Sequence, residues 1–363
     1  MIRRLLEKRR RAKEAMLLPA KKAILGSQSM VGVDVGSAGG LQPHWRAYEG
    51  VLDFYLFEPH QESYEKLKAQ FAASVHSNLF HVLPIGLSEK GGERTLYMLN
   101  CATGSSIYPV NTESEFASFD NTYVYPIREI QIQTRSLSDV LTEQNVEKVD
   151  IIKLDVQGAE LEILQGMGTV RRKGLLLIEA EVNICSGVVN NIGPYAGGPT
   201  WGKIDTMLTT DGMRLLDVSI AREYRPKGGD SDWYQREIFN VYQNSPSLSA
   251  RSWEADVVYV RDWRQLINDR DALSIRKLAL ALCGYRFFSE AYFMIEKAEE
   301  SGVLEAIEAN VIKKNIIAWH GASRYLWQGR GFIWGLVRSL LRLTRISQLL
   351  RWKQYMWFDY PNG

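Results

Sequence analysis

Long apolar runs are missing from this chain of 363 residues. No stretch reaches the ~18 residues that a membrane-crossing helix needs, so none is expected. The apolar stretch Ala15–Leu18, stopped by Pro19, is too short for a signal-peptide core. Cysteine is scarce. Cys101, Cys185 and Cys283 are odd in number, far apart and without a C-x-x-C pair. That pattern argues against a disulfide framework and reads as reduced thiols in a cytoplasmic protein. The five histidines do not cluster with carboxylates at ligand spacing, so no metal site is expected. The G-x-G-x-x-G run that cradles a pyrophosphate is absent as well.

What is present is ordinary in bulk and uneven in placement. Hydrophobic residues make up 45% and charged residues 24%, as in soluble globular proteins. The net charge of +2 hides a strong asymmetry. Residues 1–24 carry +7, from nine Lys/Arg against Glu7 and Glu14, and residues 321–363 carry +6, from seven against Asp359. The body between them is therefore at −11. Two basic ends on an acidic body point to an anionic partner for the ends.

Residues 1–26 read as a basic helical arm. From 27 to 262, apolar runs of strand length alternate with helical stretches. The runs are Met30–Val35, Phe54–Phe57, Phe80–Leu87, Ile151–Val156, Leu175–Ile178 and Val257–Val260. This alternation predicts an α/β fold with a doubly wound, mostly parallel sheet. Two strand-like stretches near 93–100 and 129–137 lack a helix between them and predict an extra hairpin or lid. Residues 225–254, rich in Gly, Ser, Pro and Asp, predict a long loop. Residues 263–329 read as a small helical appendage, and 330–363 as a basic amphipathic tail.

Three strand ends carry the chemistry. The first is Val33-Asp34-Val35-Gly36-Ser37-Ala38-Gly39-Gly40. Its small residues let the backbone approach a ligand closely. Asp34 can accept hydrogen bonds from a cationic amino group, which suits an amino acid better than a diphosphate. The second is Phe57-Glu58-Pro59. A carboxylate at the end of the second strand is placed to bind two ribose hydroxyls, and Pro59 stops the strand. The third is Ile151-Ile152-Lys153-Leu154-Asp155-Val156-Gln157-Gly158-Ala159-Glu160. Leu177-Ile178-Glu179-Ala180-Glu181 repeats the layout, with Glu179 and Glu181 on one strand face.

The order D-x-G-x-x-G, F-E-P, G-L-S and K-x-D-x-x-G-x-E resembles the FkbM-type methyltransferases. Here these are Asp34–Gly39, Phe57–Pro59, Gly86–Ser88 with Gly91, and Lys153–Glu160, with Thr134–Asp139 also fitting. The resemblance covers about 30–262. It implies a class I methyltransferase fold, Rossmann-like, with seven strands of which the last is antiparallel, and S-adenosylmethionine as cofactor. The candidate cofactor residues are then Asp34, Gly36, Ser37, Ala38, Gly39, Glu58, Pro59, Asp155 and Ser88, the last near the adenine. Gln157 departs from the family, which usually has Glu there. Members commonly methylate hydroxyls, and many act in polysaccharide assembly. The loop Tyr195–Trp201 resembles an aromatic loop over the acceptor in one subgroup.

The implied reaction is an in-line displacement that a positioned base assists by ~10²–10⁴-fold. Asp155 is the first candidate base and Glu181 the second, with Lys153 beside them. His44 and His60 read as structural imidazoles. In the tail, Arg338, Arg342 and Arg345 share one helical face opposite Trp, Phe and Leu, as in an interfacial helix. That predicts peripheral contact with the inner membrane face, aided by the N-terminal arm. The alternative is a helix docked on the protein itself. No nucleic-acid motif accompanies the charge. Two other functions stay open: a nucleotide-cofactor oxidoreductase, and a non-catalytic binding or membrane-scaffold protein.

Overall fold

The computed structural model describes residues 16–42, 44–100, 102–112, 126–184, 193–224 and 251–322. Cys101, Cys185, residues 1–15 of the arm and the whole tail with Arg338, Arg342 and Arg345 lie outside them.

After a helix over 16–25 (α1), the chain forms β1 (Met30–Val35), β2 (Leu52–Phe57), α2 (Gln61–Ala72) and β3 (Phe80–Leu83). Then come β4 (Gly86–Leu87), β5 (Gly92–Leu99), β6 (Pro126–Arg135) and α3 (Leu137–Glu143). Next are β7 (Ile151–Leu154), α4 (Glu160–Gly166), α5 (Thr169–Gly174), β8 (Leu177–Asn183) and α6 (Trp201–Thr210). The chain continues through β9 (Met213–Tyr224), β10 (Arg251–Arg261), α7 (Trp263–Asn268), α8 (Ala272–Gly284) and α9 (Phe288–Glu300). A helix over 306–322 (α10) closes the described part.

Seven strands form one sheet in the order β3-β2-β1-β7-β8-β10-β9. The first five are parallel, and β10 is antiparallel to both its neighbours. This is the class I methyltransferase arrangement that the motifs imply, with its strand-order reversal between β1 and β7. The expected single strand at 80–87 is two strands in different sheets, because Pro84 removes a ladder donor between them. The expected hairpin is there: β5 pairs antiparallel with β6, and β4 joins it to make a second, three-stranded sheet. Ser136 caps α3 by accepting the Asp139 amide at 3.1 Å, so the Thr134–Asp139 stretch is a strand exit and helix start. Residues 225–250 of the expected loop lie outside the described residues, and its last four belong to β10, which extends the strand expected at 257–260. Strand β9 runs to Tyr224 and β10 starts at Arg251.

Both sheet faces are covered. On one, Val33, Val35, Ile152, Leu154, Ile178 and Ala180 pack against α3, α4 and α6. On the other, Met30, Phe54, Leu56, Ile151 and Leu177 share one cluster with α1, α2 and α8–α10. The C-terminal helices are thus a layer over the sheet. Lys21 of the N-terminal arm is buried in this layer, and its ammonium donates to the Glu49 carbonyl at 3.2 Å. Among the described residues no helix is long and apolar enough to cross a membrane.

Candidate active site

Gly36 is the hinge of the site. It stands in the left-handed region at φ 88°, where a side chain is strained. A Cβ there would lie 1.8 Å from the Asp155 carbonyl oxygen. Its absence lets the turn after β1 press against the turn after β7, where the Asp155 amide donates to the Val35 carbonyl at 3.1 Å. The Ser37 hydroxyl donates back to the Asp34 carbonyl at 2.9 Å and holds the turn closed. Ser37 is buried and Ala38 half-buried, whereas Gly39 is exposed and a Cβ there would touch nothing.

Parallel register then sets three charged residues side by side: Asp34 on β1, Lys153 on β7 and Glu179 on β8. The Lys153 ammonium donates to Asp155 Oδ2 at 3.1 Å and lies 3.7 Å from Asp34 Oδ1. Burial pushes the Asp34 carboxyl up to about 6 despite the Lys153 charge. Burial works against the charge of Lys153, but Asp155, Asp34 and Glu179 outweigh it and raise its pKa. Burial also opposes ionisation of Asp155, yet Lys153 and hydrogen bonds from Glu181, Lys153 and Gln157 hold that carboxyl below its ordinary value. Glu181 goes the other way. Burial, then the charges of Asp155, Glu254 and Asp256, raise it well above the usual carboxylate range.

The segment 155–160 is a folded loop. Gln157 sits at φ 58° and Gly158 at φ 104°. The Glu160 carboxylate reaches back to accept the Val156 and Gly158 amides at 3.2 and 3.1 Å. The Gln157 amide nitrogen donates to Asp155 at 3.2 Å and to Glu181 at 3.0 Å. Its oxygen accepts the Tyr195 hydroxyl at 2.6 Å. The departure from the family's Glu therefore carries a specific role: an amide bridges two carboxylates and a phenol, where a third carboxylate would repel. A small cleft beside this bridge is lined by Gln157, Gly158, Glu181, Asn183, Tyr195 and Glu254.

Other candidate residues stand apart from this constellation. Glu58 is buried at the end of β2 and accepts the His60 amide at 2.8 Å; burial pushes its carboxyl up to about 7. Pro59 follows the strand end. Ser88 is buried, its hydroxyl shared with Thr134 at 2.9 Å and accepting the Gly91 amide at 3.1 Å. The Trp201 indole donates to the Tyr259 hydroxyl at 2.8 Å and packs on the opposite sheet face from the Asp34–Lys153–Glu179 row.

Three participants escape a sequence reading. His44 and Trp45 donate to Glu179 Oε2 at 2.8 and 2.6 Å, and the Tyr285 hydroxyl donates to the same oxygen. The Glu179/Glu181 alternation marks the strand face, but nothing local marks Tyr285, which is 106 residues beyond Glu179.

Comparison with known proteins places the chain. The profile of the methyltransferase FkbM domain matches residues 39–214. The chain is similar to the methyltransferase sdnD of Sordaria araneosa, at 28% identity over 129 residues, 31% of this chain and 49% of that protein. It thus spans about half the length of that curated relative. Among solved structures it is similar to a SAM-dependent methyltransferase of Aquifex aeolicus (12% identity, 65% of this chain, 85% of that one, TM-score 0.27). Another is the CcbJ methyltransferase of Streptomyces caelestis (13% identity, 67% and 95%, TM-score 0.29). Over residues 39–214 the chain matches the methyltransferase FkbM domain, on a seven-stranded sheet in which the turns after β1 and β7 meet at Gly36 and Asp155.

Proposed function

We propose that the protein transfers a methyl group from S-adenosylmethionine to a hydroxyl oxygen of a sugar, a polysaccharide precursor or another small metabolite. One observation carries the cofactor reading. Asp34 Oδ1 is buried at the end of β1 and accepts no hydrogen bond among the described residues. A buried carboxylate oxygen without a donor is costly, and it lies beside a turn whose Gly39 leaves open space. These features fit the cationic amino group of the cofactor's methionine part. Asp34 would receive it, with Gly36, Ser37, Ala38 and Gly39 forming the floor. Glu58 would receive the ribose hydroxyls, with Pro59 ending its strand and Ser88 on the adenine side.

When bound, S-adenosylmethionine supplies the electrophilic methyl. The chain's own residues supply alignment and a place for the proton. Burial and neighbouring charge favour the neutral form of Glu181 and Lys153 favours the ionised form of Asp155, so the pair shares a proton that Glu181 donates to Asp155. Asp155 takes the acceptor's hydroxyl proton as the new C–O bond forms, while Lys153 balances its charge beforehand. Tyr195, bonded to Gln157 beside Asp155 and Glu181, bounds the acceptor side.

Asp34→Ala and Glu58→Ala test the cofactor site. Each removes hydrogen bonds to a charged group, worth ~1.5–3 kcal/mol. Affinity for S-adenosylmethionine is expected to fall about tenfold or more by calorimetry, with the fold retained. Wild-type affinity in both variants sinks the assignment. Glu58 adds a pH signature. Its unliganded carboxyl titrates at about 7, and ribose hydroxyls favour the ionised form. Binding therefore releases a proton near neutral pH and weakens as pH falls.

The basic tail is proposed to rest on an anionic membrane surface through Arg338, Arg342 and Arg345, at ~1 kcal/mol per basic residue. Full-length protein is expected to float with vesicles rich in anionic phospholipid at low salt, and a chain lacking residues 330–363 to stay behind. Flotation that survives the truncation, or never occurs, removes the membrane from the picture.

A further inference from the structure

Glu179 is an unusual strand residue: a carboxylate only 3% exposed, in the middle of a sheet. Three donors converge on its Oε2. His44 and Trp45 come from the segment just after the glycine turn, and Tyr285 comes from the end of α8. The box is rigid. Trp45 also donates to the Tyr285 hydroxyl at 2.8 Å. Tyr48 donates to the Ala281 carbonyl at 2.6 Å and packs where Gly284 has no side chain. Helix α8 is also held at mid-length, by Lys277 on Asp150 at 3.0 Å, just before β7.

The three donors share one oxygen of Glu179, Oε2. The opposing cation is Lys153, its register neighbour on β7, already shared between Asp155 and Asp34. Burial works against ionisation of Glu179, but His44, Lys153 and the Tyr285 hydroxyl outweigh it and hold the carboxyl at about 2. The three carboxylates Asp34, Asp155 and Glu179 thus outnumber Lys153 and His44, the basic side chains beside them. A sulfonium is a positive charge with no proton to donate, so only a field can recognise it.

We infer that Glu179, held by His44, Trp45 and Tyr285, is a positioning residue that tunes the crevice for the cofactor's sulfonium charge, and that the C-terminal layer is therefore part of the binding site. This rests on the S-adenosylmethionine reading above. It predicts selectivity between two ligands that differ by that charge. S-adenosylhomocysteine has the same amino acid, ribose and adenine but a neutral sulfur.

The test uses the full chain and calorimetry with both ligands. Glu179→Gln keeps the shape and can still accept the three donors. It is expected to lose about tenfold in affinity for S-adenosylmethionine, as for one charge removed across a partly screened interior, with affinity for S-adenosylhomocysteine changed less than about twofold. Tyr285→Phe is expected to move the same ratio in the same direction by a smaller factor. Equal losses for both ligands would make the box a packing element and overturn the inference. An unchanged ratio in Glu179→Gln does so too. A wild-type chain that binds neither ligand would instead overturn the cofactor reading.

Discussion

Gly36→Ala is expected to cost most of the affinity for S-adenosylmethionine. The added Cβ would sit 1.8 Å from the Asp155 carbonyl oxygen, so the two turns must separate. The left-handed backbone alone costs a non-glycine residue ~1–2 kcal/mol. The thermal midpoint is expected to drop, and affinity for S-adenosylmethionine to fall ~10²-fold or more, as when a site is misplaced by about an ångström. Gly39→Ala is the internal control. A Cβ there meets nothing, so the midpoint of the ligand-free protein stays put, while binding weakens because the methyl projects into the space assigned to the ligand. Calorimetry and a melting curve on the two variants check both halves. If Gly39→Ala lowers the midpoint and binding stays intact, the turn is a structural corner and nothing more.

Asp155→Asn costs turnover far more than binding. The exchange keeps the size of the side chain and its contact with Lys153, and removes the charge that takes the proton. Methyl transfer to the wild-type acceptor is expected to fall ~10²–10⁴-fold, with S-adenosylmethionine affinity reduced only several-fold. Glu181→Gln is expected to cost less, because burial and the neighbouring carboxylates already favour the neutral form of Glu181. Turnover that survives Asp155→Asn and disappears in Glu181→Gln would reverse the two roles. Single-turnover measurement separates the chemical step from product release.

The fold was legible where strands end in chemistry. Asp34, Glu58 and Asp155 each follow an apolar run, and parallel register brings the ends of β1 and β7 together. Alternation also marked the paired strands β5 and β6. Boundaries failed for physical reasons that a hydrophobic pattern hides. Pro84 divides one apolar run between two sheets. Strand β10 begins in the polar stretch Arg251–Glu254, whose backbone is satisfied by β9 whatever its side chains. In the site, the charges were visible and their partners were not. The amide of Gln157 bridging Asp155 and Glu181 needs a left-handed residue at φ 58° that no spacing announces. Tyr285 meets Glu179 only because α8 lies across the sheet. Contacts at such separation belong to tertiary packing.

The shared core of strands and C-terminal helices has a consequence for biosynthesis. A chain emerging from the ribosome has its cofactor motifs translated by residue 160. Yet β10, which pairs with both β8 and β9, comes a hundred residues later, and Ile275, Leu278 and Ile312 follow it into the cluster beneath Met30, Phe54 and Leu56. Until they arrive, that face of the nascent sheet is covered only by α1 and α2, with β8 as an open edge. Such intermediates are exposed to aggregation. The matched stretch 39–214 produced as a fragment would lack β1, β10 and the C-terminal helices, and expression vectors for this protein should span residues 16–322.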